Sequence, residues 1–91
     1  MVNRKDGITI KRIFRERLNH LNPSPEIRVR RGRSGKSFHV FVISDFFSGM
    51  SSVKRHDFVW DLVEEELDEE RMRQISMLGV LTPEETDGLL A

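Results

Sequence analysis

Ile10, Ile13, Phe14, Leu18 and Leu21 recur at three- and four-residue spacing, which predicts an amphipathic helix. Lys11, Arg12, Arg15, Glu16 and Arg17 fill the intervening positions and would face water. Thr9 or Asp6 is the expected cap, with Met1–Gly7 a frayed start. Asn22-Pro23-Ser24-Pro25 ends the helix, because proline cannot continue the hydrogen-bond ladder and restricts the residue before it. Glu26–Arg31 alternates, Ile27 and Val29 against Arg28 and Arg30, as a half-buried strand does. Gly32-Arg33-Ser34-Gly35-Lys36 suits a hairpin loop. Ser37–Ser44 encloses FHVFVI, a central strand with Phe38, Val40 and Val42 on one face and His39, Phe41 and Ile43 on the other.

After a turn at Gly49, Ser51 or Ser52 caps a helix from Val53 to about Leu67, with Val59, Trp60, Val63 and Leu67 as its buried stripe. Its acidic end, Glu64–Glu70, opposes the helix dipole and calls for cations elsewhere. Phe46, Phe47 and Met50, flanking the turn, are read as core. Arg73–Leu78 is expected as a third strand, parallel to the second through a right-handed crossover. Thr82-Pro83-Glu84-Glu85 is a capping box that opens a last helix. The expected fold class is therefore α/β (α+β), order α-β-β-α-β-α, with a three-stranded mixed sheet and helices on one face. Residues 1–8 are expected as a flexible N-terminus and 9–91 as a single domain.

The chain has 91 residues and no cysteine, which removes disulfides, thiolate metal sites and a cysteine nucleophile. No apolar run reaches the roughly 20 residues that span a bilayer, and a cytoplasmic protein without membrane contact is expected. Net charge is zero but unevenly spread. Residues 1–56 hold 13 Lys/Arg against 4 Asp/Glu, and residues 57–91 hold 2 against 11. The two halves can neutralise each other, or the basic half can face phosphate. The candidate nucleic-acid contacts are Arg28, Arg30, Arg31, Arg33 and Lys36 on the hairpin. Lys54, Arg55 and His56 join them at the start of the second helix, where cations work against the dipole unless an anion is near.

Gly32–Ser37 ends like a phosphate-binding loop, but Arg30 stands where that motif needs glycine and a strand follows instead of a helix. The acidic run lacks calcium-loop spacing. No catalytic triad or metal constellation is visible, so no enzyme is expected.

Ser37-Phe38 and the apolar strand, then Ser44-x-x-Phe47-x-Gly49, Arg55-His56, Glu65-Glu66-Leu67, Ile75-Ser76-Met77 and Thr82-Pro83-Glu84-Glu85 resemble the BolA-like family in order and spacing. The resemblance covers about Ile10 to Glu85. It implies a fold like the type II KH domain, non-enzymatic regulation, DNA binding in transcription control under stress, and partnership with a monothiol glutaredoxin through a shared [2Fe–2S] cluster. A KH domain grips backbone with a GxxG loop, which is missing between the predicted helices here. The family's cluster histidine at the start of the last strand corresponds to Arg73, whose guanidinium offers iron no lone pair. The loop before Ser37 offers neither cysteine nor histidine as a second ligand, so no resident cofactor is expected. The protein is expected as a monomer or weak dimer, with DNA as leading partner and a glutaredoxin as the alternative.

Overall fold

In a computed structural model, residues 3–89 are described. Helix α1 spans Arg4–Leu18. Strands β1 (Glu26–Arg31) and β2 (Phe38–Ile43) follow, then a 3-10 turn at Asp45–Phe47. Helix α2 spans Ser52–Val63, α3 Glu69–Gln74, β3 Ile75–Leu81 and α4 Pro83–Leu89. The sheet order is β1-β2-β3, antiparallel between the first two and parallel between the last two, as the crossover requires.

The core lies on one face of this sheet. Phe38, Val40 and Val42 point into it, and α1 closes it with Ile10, Ile13, Phe14 and Leu18. Val59 and Val63 of α2 complete the layer, and Trp60 meets Phe14 edge-on at 6.3 Å between ring centres. Phe47 is fully buried, and Phe46 and Phe58 pack around it. The opposite face carries the alternate residues in cross-strand rows: Arg30, His39 and Met77; Arg28, Phe41 and Gly79; Glu26, Ile43 and Leu81.

Three expectations are corrected. The first helix begins at Arg4, where Asn3 accepts a hydrogen bond from the Lys5 amide, and Gly7 is buried beneath Phe38; from Arg4 onward the stretch expected as flexible is helix, while Met1 and Val2 lie outside the described residues. Helix α2 ends at Val63, and Leu67 is buried outside it. The acidic run then starts a separate helix: Asp68 accepts from the Arg71 amide at 2.8 Å, which puts Glu69 and Glu70 in a first turn, where the dipole favours them. Consequently β3 starts at Ile75, two residues later than the pattern suggested.

Candidate nucleic-acid interface

The hairpin is built by its glycines. Gly32 donates to the Ser37 carbonyl at 2.8 Å, and Gly35 donates to the Gly32 carbonyl at 2.9 Å. Gly35 has φ 71°, a left-handed conformation that a side chain disfavours. The turn leaves Arg33 and Lys36 exposed at its tip, with Arg30 and Arg31 exposed at the end of β1. None of these four takes part in an ion pair among the described residues. Arg28 differs. Its Nε lies 2.6 Å from Glu26 Oε2, and this hydrogen bond raises the guanidinium's pKa and lowers the carboxyl's.

Arg55 is not part of any exposed site. It is 9% exposed and spends its donors inside the protein: Nε on the Met50 carbonyl at 3.0 Å, Nη1 on the Val80 carbonyl at 3.1 Å, and the fork on Glu85. The anion inferred from cations at the start of α2 is therefore this chain's own carboxylate. Lys54 is exposed one position earlier, and His56 is half-buried one position later.

The sheet also separates the two halves of the expected site. Arg55 contacts Val80, which pairs with Val42, whereas the hairpin joins β2 at Phe38. Four residue steps along β2, about 13 Å, separate them. Lys54 and His56 thus belong to one end of the sheet, and Arg30, Arg31, Arg33 and Lys36 to the other.

Sequence reasoning overlooked the contribution of α1. A cleft of about 220 Å³ runs between α1 and β1, and Arg4, Lys11 and Arg31 line it. Arg4 and Lys11 are one heptad apart, so helical spacing puts them on one face; only the link to β1 needed the fold.

The position expected to match an iron ligand gives no imidazole. Arg73 is exposed on α3 and 3.8 Å from Glu69. Gln74, directly before β3, donates to Asp6 at 3.1 Å. His20, His39 and His56 lie on three different parts of the chain: after α1, in β2 and in α2. Among the described residues no group of three His, Cys, Asp or Glu is placed to hold a metal. Arg73 and the loop from Arg31 to Lys36 thus supply no side chain able to ligate iron.

A model of the BolA-like protein family matches residues 9–85. The chain belongs to the BolA-like family. Its fold agrees with solved BolA structures. BolA1 from Arabidopsis thaliana is 29% identical at a TM-score of 0.55, covering 93% of this chain and 98% of that one. The BolA domain of SufE1 from the same plant is 28% identical at 0.56, covering 93% and 99%. BolA1 from Mus musculus, 22% identical at 0.57, covers 100% and 76% and supports the fold alone. No curated protein matches the chain. In this BolA-like chain no described helix is long and apolar enough to cross a membrane.

Proposed function

We propose that this BolA-like protein is a non-enzymatic regulator that binds nucleic acid, DNA in the first instance, through the β1–β2 hairpin. The observation that carries this reading is the uneven pairing of its cations. Arg17, Arg55, Arg71 and Arg73, all beside the acidic half, are in ion pairs, while Arg30, Arg31, Arg33 and Lys36 are exposed and unpaired among the described residues. Four such charges on one hairpin suit a row of phosphates, which fixes position more than sequence. Arg28, tied to Glu26, contributes less, and Arg55 contributes nothing directly.

Fluorescence anisotropy with a labelled DNA duplex tests this. Affinity should fall steeply from low to moderate salt, and Arg30→Ala/Arg33→Ala/Lys36→Ala should abolish binding. Unchanged affinity in that triple variant removes the hypothesis.

A second reading, an adaptor that docks on a monothiol glutaredoxin without ligating iron, is favoured by an apolar cleft of about 440 Å³ beside the start of β3. Trp60 and Met72 line it, with Glu64, Glu69 and Arg73 at its rim. Trp60→Ala should then weaken co-elution with a cluster-loaded glutaredoxin, whose visible spectrum should stay as it is.

A further inference from the structure

We infer that the cleft between α1 and β1 holds the sugar–phosphate backbone of a single, unpaired nucleic-acid strand, continuing the track that starts at the hairpin. This deepens the nucleic-acid reading and rests on it. Arg4, Ile8 and Lys11 follow one another at four- and three-residue spacing along one face of α1, opposite Arg31 on β1. The floor is apolar, made by Val29 and the ring of Phe38. Ile8 is 61% exposed, a large aliphatic group without a partner in the fold.

Charge on both walls and apolar surface between them match a chain that alternates phosphate with sugar and base. Arg4 and Lys11 are seven residues apart, about 10.5 Å along the helix. That separation lets the two cations meet different phosphates of one strand. Glu26, the carboxylate on the neighbouring strand, is already tied to Arg28 at 2.6 Å. Arg4, Lys11 and Arg31 form no ion pair among the described residues. A cleft of about 220 Å³ between one helix and one strand suits a single strand better than a duplex.

The test compares Arg4→Ala/Lys11→Ala with the unaltered protein on a labelled oligothymidylate and on a duplex of equal length. The double variant should bind the single strand about tenfold more weakly, with the slope of log affinity against log salt reduced by about 1.4, two contacts at about 0.7 each. Duplex affinity should change little. Ile8→Gln, at an exposed position, should weaken single-strand binding while leaving the salt slope as it was. Circular dichroism melts verify that each variant is folded. Equal losses on both probes, or no loss on the single strand, overturn the inference. If the hairpin triple variant loses binding while the cleft variant does not, the hairpin reading stands and only the cleft fails. If the unaltered protein binds neither probe, both fail.

Discussion

The guanidinium of Arg55 grips the carboxylate of Glu85 at two points, Nη1 to Oε1 at 2.7 Å and Nη2 to Oε2 at 3.3 Å. Glu85 Oε1 also accepts from the Thr82 amide at 2.7 Å, so the capping box of α4 also docks α4 onto α2. With the Val80 and Met50 carbonyls, Arg55 joins four segments of chain. Arg55→Met leaves those two carbonyls without their charged donor, at a cost of about 2–4 kcal/mol. Urea melts should show that loss, while Lys54→Met, at an exposed position, should change stability by less than about 0.5 kcal/mol. Equal stability of the two variants would show that Arg55 is not an anchor.

The pair also sets an acid limit. Hydrogen bonds from Arg55 and then from the Thr82 amide hold the Glu85 carboxyl at about 2, below its ordinary value of 4.5. A carboxyl with a depressed folded pKa stabilises the fold above its unfolded value, and that contribution fades as pH falls through the folded one. Stability should therefore decline between about pH 4.5 and about pH 2, and Glu85→Gln should flatten the decline. Melting the two proteins at several pH values across this window measures it. Parallel curves would mean that Glu85 adds nothing to the acid transition.

Gly79 lies under the ring of Phe41. A Cβ built there would come within 2.7 Å of Phe41 Cδ1. Gly79→Ala forces the ring aside and should cost about 1–3 kcal/mol. Pairing it with Phe41→Leu should recover part of the loss, which a double-mutant cycle reads directly.

Asp68 caps α3 and also accepts from Arg71 Nη1 at 2.7 Å. Asp68→Ala should cost about 1 kcal/mol, because the first turn loses its acceptor. A helix of six residues has little propensity to offset that loss. Denaturant midpoints would register it, and an unchanged midpoint would show the cap to be idle.

Strands β1 and β2 were legible because alternation and β-branched runs report burial directly: Ile27, Val40 and Val42 are in the core as their pattern requires. The parallel crossover followed from the intervening helix. Helix α3 was hidden because six residues with one half-buried apolar group, Met72, show no period. In the site, Lys54 and Arg55 look alike as a basic pair, yet 100° of helix separates them. Arg55, Val59 and Val63 form one four-residue stripe, so a buried guanidinium could have been read from spacing. What spacing could not supply was its acceptor, 30 residues away on α4. The separation of the two basic clusters needed the sheet register as well.

Strand β1 hydrogen-bonds to a neighbour on one side only, leaving a row of backbone amides and carbonyls open on the other. Arg30 and Arg31 stand on that border. Two copies meeting seam to seam would bring like charges together, so the guanidinium groups guard the open edge against polymerisation. A polyanion bound there, as proposed, would also screen that repulsion, and crowding on a long nucleic-acid strand is where such copies would be freest to zip into a continuous sheet.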